Sequence, residues 1–238
     1  MKLTDGVYRL GSRYVNFYAI EDGGRITIVD SGVPGYYDQI PELLGSINRS
    51  IADVEAIVQT HYHSDHIGCT ERLRAESGAT VLIHEIEAPG LRGDEKPKAV
   101  KGLVNAILNP QGLQLVGHFI QNGGTKFPTV KEVSTFTEGD LLDVPGKLRA
   151  IFTPGHSAGH SALLLESSGV LFSGDALVTR NMQGKTGPRL METYTDREEQ
   201  KSALARLEGI DADLLLPGHG EPWHGSTTDA VAHARSTF

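Results

Sequence analysis

The hexamer His61-Tyr62-His63-Ser64-Asp65-His66 holds three imidazoles and one carboxylate, all side chains that bind metal ions. It follows an apolar run that ends at Gln59-Thr60. Side chains of an extended backbone alternate, so His61 and His63 point to the same side. A turn into a helix then brings Asp65 and His66 back toward that side. Such borderline ligands suit zinc, and also iron or manganese. Three later segments share one grammar of apolar run, glycine turn and ligand type. They are Ile151-Phe152-Thr153-Pro154-Gly155-His156, Leu171-Phe172-Ser173-Gly174-Asp175 and Leu214-Leu215-Leu216-Pro217-Gly218-His219-Gly220. In each, a buried strand delivers a histidine or aspartate at its end, and glycine permits the tight turn there. One such segment is a weak signal; three in succession after the hexamer are a strong one.

The elements that must position these residues are readable from periodicity. Val15 to Ile20 and Arg25 to Asp30 read as strands joined by the hairpin signal Glu21-Asp22-Gly23-Gly24. Apolar residues at Tyr36, Ile40, Leu43, Leu44 and Ile47 predict an amphipathic helix. Glu55 to Thr60 and Thr80 to His84 read as strands. Between them, Asp65 to Ser77 reads as a helix capped by Ser64 or Asp65. In the second half, Lys147 to Phe152, Ala162 to Glu166, Val170 to Ser173 and Asp213 to Leu216 read as strands. Asp196 to Glu208 reads as a helix, with Thr195 as N-cap and Glu198 as the acid of a capping box, and Thr228 to Ser236 as another. Strands with helices between them, twice over, suggest a layered α/β domain of helix, two sheets and helix. No linker or low-complexity tract divides residues 1–238, so one domain is expected.

The stretch from about 88 to 130 breaks the rhythm. It contains Pro89, Pro97, Pro110 and Pro128, and an apolar set that includes Leu103, Ile107 and Phe119. So long a connection inside a compact domain is usually functional. It reads as a partly helical flap over the site, against the alternative of a helical excursion that packs on the surface or makes a dimer contact.

Composition narrows the function classes. The chain has 238 residues, 39% of them hydrophobic and 22% charged, which is enough to bury a core without staples. A net charge of -8 argues against a nucleic-acid binder, which needs a basic surface. No apolar run approaches the length of a membrane span. The amino terminus lacks the apolar region of a signal peptide, and Cys69 is the sole cysteine, so a cytoplasmic protein is expected, monomer or homodimer.

The run HYHSDH, then TPGH, SGD and PGHG, resembles the metallo-β-lactamase superfamily, and VDSG at Val29 to Gly32 fits it too. The resemblance covers nearly the whole chain. It implies a four-layered αββα sandwich with metals at one edge, between the sheets. It implies that His61, His63 and His156 hold one zinc ion, that Asp65, His66 and His219 hold a second, and that Asp175 bridges them. Asp30 would orient a ligand imidazole. With the ligand set complete, His160 is expected to be a structural hydrogen-bonding residue beside it, and Cys69 to be buried and inert.

What such a site does follows from charge. Two divalent ions keep a net positive charge after Asp65, Asp175 and a bridging hydroxide are counted, so the site attracts a carbonyl or phosphoryl oxygen. Zinc lowers the pKa of bound water to about 7, which supplies hydroxide without a separate base. Asp65 is expected to accept the proton and pass it to the leaving group. The bond cut is narrowed by comparison within the superfamily. Glyoxalase-II-type thioesterases normally carry a helical domain after the last ligand, where here Gly220 to Phe238 remain. Nuclease branches need a basic face. The β-lactamases usually have Cys or Ser where this chain has Asp175. Quorum-quenching lactonases share that Asp, but many have a Tyr where this chain has Val178. The expectation is a dinuclear zinc hydrolase of a small ester, lactone or related acyl substrate, contacted by the flap and by Arg180, Arg189 and Tyr194. The alternatives are a mononuclear iron sulfur dioxygenase, or a β-lactam, thioester or phosphoester hydrolase on the same site.

Overall fold

Each long strand buries both of its faces, and period-two alternation sorts its side chains into two layers. Along Asn16–Asp22 (β3), Phe17 and Ala19 face one core while Tyr18 and Ile20 face another. Ser161–Leu165 (β10) does the same, with Ala162 and Leu164 on one side and Leu163 and Leu165 on the other. Strands buried on both faces must be covered on both, so the sequence demands two sheets facing each other with helices outside.

A computed structural model describes residues 1–96, 101–104 and 108–238, and it has this arrangement. One sheet runs in chain order through Lys2–Thr4 (β1), Val7–Gly11 (β2), β3, Arg25–Val29 (β4), Val54–Val58 (β5), Thr80–His84 (β6) and Ser134–Phe136 (β7). The other comprises Leu141–Leu142 (β8), Leu148–Phe152 (β9), β10, Val170–Gly174 (β11), Leu214–Pro217 (β14) and Trp223–His224 (β15), in the order β15-β14-β11-β10-β9-β8. Val178–Arg180 (β12) and Thr186–Arg189 (β13) form a separate antiparallel pair. Gln39–Ser46 (α1) and Thr70–Ser77 (α2) cover the first sheet through Ile40, Leu44 and Leu73. Arg197–Leu207 (α5) and Thr227–Arg235 (α6) cover the second through Leu204, Leu207 and Val231. The inner layer between the sheets holds Tyr18, Val58, Phe172 and Leu216. Each fully buried large apolar side chain contributes about 1.5–3 kcal/mol. The fold is an αββα sandwich.

Strand direction places the site. β4, β5 and β6 are mutually parallel, and β9 runs with β11 and β14. The ligand-bearing turns follow β5, β9, β11 and β14, and they meet where the two sheets adjoin. There the main chains bond across the seam, Asn16 N donating to Gly218 O at 2.8 Å and Ser161 N to Thr60 O at 3.0 Å.

Several boundaries differ from the expectation. The hairpin turn between β3 and β4 is the two-residue Gly23-Gly24, both at positive φ, as its composition requires. The helix expected from Asp65 begins at Thr70 instead. Residues 64–69 are turns and a bend, because Gly68 N donates to Gly32 O at 2.7 Å, which takes it out of a helical ladder, while Ser64 Oγ ties the segment to Gly124 O at 2.8 Å. In α5 the cap is Asp196, whose carboxylate accepts from the N–H groups of Glu198 and Glu199; Thr195 Oγ1 donates to Gly155 O instead. Within the stretch expected as a flap lie Ala88–Arg92 (α3) and Pro110–Gln121 (α4). Ile107 lies outside the described residues. Among the described residues no helix is long and apolar enough to cross a membrane.

Candidate metal centre

The four turns bring seven side chains together: His61, His63, Asp65, His66, His156, Asp175 and His219. Their potential ligand atoms form three overlapping triads, each with all atoms within 4.8 Å of one another: His61, His63 and His156; His61, His66 and Asp175; Asp65, His66 and His219. The Asp175 carboxylate lies between the groups. Its Oδ2 is 3.4 Å from His156 Nε2 and 3.2 Å from His219 Nε2, and its Oδ1 is 3.6 Å from His66 Nε2. Asp65 Oδ2 is 3.5 Å from His219 Nε2.

The outer nitrogens of four rings are occupied. His61 Nδ1 bonds Thr60 Oγ1 at 3.0 Å, His66 Nδ1 bonds Asp30 Oδ2 at 2.8 Å, and His156 Nδ1 bonds Thr193 O at 2.9 Å. His219 Nδ1 bonds the carbonyl of Tyr14. Each of these rings therefore turns Nε2 inward, since the outer partner fixes tautomer and orientation. His63 is the exception and presents Nδ1, 2.9 Å from His156 Nε2. Asp30 itself is held in a left-handed conformation, φ 58°, with its carboxylate accepting from Thr60 N at 2.8 Å and from Thr60 Oγ1. A non-glycine residue in that region is uncommon, and here it aims a carboxylate at the back of His66. His160 sits behind Asp175: its Nε2 accepts from Asp175 N at 3.0 Å and its Nδ1 bonds Thr153 Oγ1 at 2.8 Å.

A divalent cation fits this donor set. His61 Nε2, His66 Nε2, His219 Nε2 and Asp175 Oδ1 are buried and have no hydrogen-bond partner. Burying so many polar atoms unsatisfied is costly unless something shared satisfies them. Burial holds the pKa of His61 and His156 well below the usual imidazole value, so both are neutral donors. Burial also holds His160 down, to about 3. At His66 burial acts in the same direction, but the charges of Asp175, Asp30 and Asp65 outweigh it and raise the ring to about 10. Carboxylates that stabilise a positive charge so strongly suit a metal ion at the same point. Space is tight: a Cβ on Gly218 would lie 2.3 Å from Asp175 Oδ1 and 2.7 Å from His66 Cε1, so only glycine serves there.

A family model for the metallo-beta-lactamase superfamily matches residues 10–219, the stretch that contains all seven side chains. The chain belongs to that superfamily. Its relatives include the probable metallo-hydrolase YflN of Bacillus subtilis, 27% identical over 92% of this chain and 86% of that protein. The thioesterase pkgB of Emericella nidulans is 24% identical over 87% of this chain and 46% of its own length. Among solved structures, a metallo-beta-lactamase family protein from Thermus thermophilus superposes with a TM-score of 0.70 at 24% identity, over 98% of this chain and 79% of that one. A metallo-beta-lactamase from Cronobacter sakazakii also gives 0.70, at 22% identity over 100% and 95%. These structural likenesses speak to the fold. The chain is a metallo-beta-lactamase superfamily hydrolase with a histidine–aspartate cluster suited to divalent metals.

Above the centre of this superfamily member opens a pocket of about 240 Å³. His63, Asp65, His156, Asp175 and His219 line it, and Leu103, Leu115, Phe119, Phe127, Met182 and Met191 form its apolar walls. Of the side chains expected to meet substrate, Leu103 and Phe119 are brought to this pocket and Arg180 to an adjoining cleft. Arg189 and Tyr194 are not. Arg189 bonds Gly187 O at 3.0 Å and lines a separate groove with Lys185 and Arg197. The ring of Tyr194 lies under the Arg197 guanidinium at 4.0 Å, and its backbone pairs with Lys101. Leu115 belongs to the apolar set of the expected flap, whereas Phe127, Met182 and Met191 are not legible as pocket residues in the sequence. The spacing of Leu115 and Phe119 on one helical face was the only available signal.

Proposed function

We propose that this protein is a dinuclear zinc hydrolase of a small ester, lactone or related acyl substrate. One observation carries the reading: buried, partnerless donor atoms converge directly beneath an apolar pocket. In this reading His61, His63 and His156 hold one ion, Asp65, His66 and His219 the other, and Asp175 lies between them. When bound, the pair supplies a hydroxide at neutral pH and polarises the substrate carbonyl. The protein's own groups do the rest. Asp30, Thr60, Thr193 and the Tyr14 carbonyl keep the imidazoles aimed, and His160 fixes the main chain at Asp175. Asp65 is open to the pocket, with 15% of its side chain exposed. It accepts the proton and returns it to the leaving oxygen, as a carboxylate within reach of both can. The apolar walls exclude water and take the acyl or aryl group.

Thioesters form a second acyl class for the same site, favoured by the likeness to the thioesterase pkgB. The test is kcat/KM on homologous lactones, aryl esters and thioesters, with metal content measured on the same protein. About two zinc ions per chain and a rise of a few-fold per added methylene are expected until the pocket fills. Indifference to chain length, or a preference for small phosphodiesters over every acyl substrate, would overturn the reading.

A further inference from the structure

The apolar pocket is not the whole cavity. Leu115, Met182, Met191 and His219 also line a narrower cleft beside it, and there the chemistry changes to Arg13, Arg180 and the amides of Gln111 and Gln114. These come from three separate segments: the β2–β3 connection, the end of β12 and the first two turns of α4. Nine other arginines of the described residues each pair with a carboxylate within 4 Å. Arg13, Arg180, Arg189 and Arg197 do not, and of these four Arg13 and Arg180 line this cleft while the other two line a separate groove. The one hydrogen bond of Arg13 goes to Tyr14 Oη at 2.5 Å. Glu221 lies close enough to Arg180 to feel its charge, but it is bound to Arg9. In a chain with 30 acidic and 22 basic residues, two unpaired guanidiniums beside one cleft are unexpected as mere solubilising charge. The first turn of α4 adds the partial positive charge of a helix amino terminus.

The guanidinium fork matches the geometry of carboxylate and phosphate oxygens. We propose that Arg13 and Arg180 bind an anionic group of the substrate, carboxylate or phosphate, while its apolar part lies against Leu103, Phe119 and Phe127. This rests on the acyl-hydrolase reading and names its substrate class: amphipathic anions whose negative group stands apart from the bond that is cut.

Non-hydrolysable probes separate the two readings. Three alkyl amides of one chain length, ending in carboxylate, phosphate or neutral carboxamide, are titrated calorimetrically into zinc-loaded protein. An anionic probe should bind at least about tenfold tighter than the neutral one. The tighter of the two anionic arms tells carboxylate from phosphate. In an Arg13→Gln/Arg180→Gln double variant that retains its metals, the preference should fall below about twofold. Arg189→Gln, in the separate groove, should keep it. Equal binding of all three probes by the unaltered protein overturns the proposal. So does a preference that survives in the double variant, because the metals would then be the anion site. If the preference behaves as expected but no acyl substrate is turned over, the hydrolase reading fails and the anion site stands.

Discussion

Four imidazoles of the metal centre are clamped from behind, by Thr60, Asp30, Thr193 and Tyr14, on turns that leave buried strands. The pocket wall is held differently. Helix α4 turns Leu115 and Phe119 inward but leaves Leu113 and Ile120 largely exposed, and a few contacts tether its far end. Gly35 N donates to Asn122 O at 2.9 Å, Ser64 Oγ donates to Gly124 O at 2.8 Å, and Tyr36 bonds His118. The contrast separates two properties. The candidate ligands are locked into main chain that the core determines, while the pocket wall, which in the proposed function reads substrate shape, belongs to a segment that leaves much of its own apolar surface exposed.

The sharpest way to break that division is Asp175→Ala. It removes the carboxylate between the two ligand groups and should lower both metal content and kcat/KM, the latter by at least about three orders of magnitude. Unchanged turnover with two metals bound would mean the shell is not where reactivity resides. Chelation comes next. Metal at a thousand times its Kd stabilises a native state by about 4 kcal/mol, so its removal should lower Tm by on the order of 10 °C. Differential scanning calorimetry with and without chelator decides it, and coincident transitions would contradict a shared staple.

Asp30→Ala should have a smaller effect, weakening metal binding about 10- to 100-fold by releasing His66. Asp30→Asn should recover part of the loss, because Asn tolerates the left-handed backbone and still accepts a hydrogen bond. Competition with a fluorescent chelator measures both, and equal loss in the two variants would sharpen the argument toward charge over geometry. The smallest effect is expected at the wall. Phe119→Ala should raise KM for bulky acyl substrates by roughly tenfold while metal content stays constant, since a partly buried ring is lost. A fall in metal content in that variant would show that wall and shell are not separate after all.

The same division explains what could be read from sequence. Strand-end motifs are local, an apolar run and a ligand type within a few residues, three of them with a glycine between, and each of the four strands ends within two residues of where its run predicts. Topology then does the convergence, which is why His66 and His219 meet. Less local features escaped. The helix after the hexamer starts five residues later than its polar residues suggest, because Gly68 bonds Gly32, far away in sequence. Thr195 has the right type for a cap, but its hydroxyl is taken by Gly155. Arg189 and Arg180 look alike in a Gly-rich loop, and only the pairing of Arg189 with Val178 across β12 and β13 shows that one reaches the cleft and the other does not. The short outer strands β1, β8 and β15 carry too few residues for any period to show.

The position of the ligands along the chain sets a chronology. His61, His63 and His156 are all present once residue 156 has been made, while the group of Asp65, His66 and His219 waits for the last strand of the second sheet. At synthesis rates of about 5–20 residues per second the two groups become complete several seconds apart. A chain still being made thus has one finished set of three histidines and one half-finished set, lacking β14 and the main-chain bond from Asn16 to Gly218. If the centre holds two ions as proposed, they need not arrive together. The order of the strands thus makes one cluster of possible ligands complete before the other.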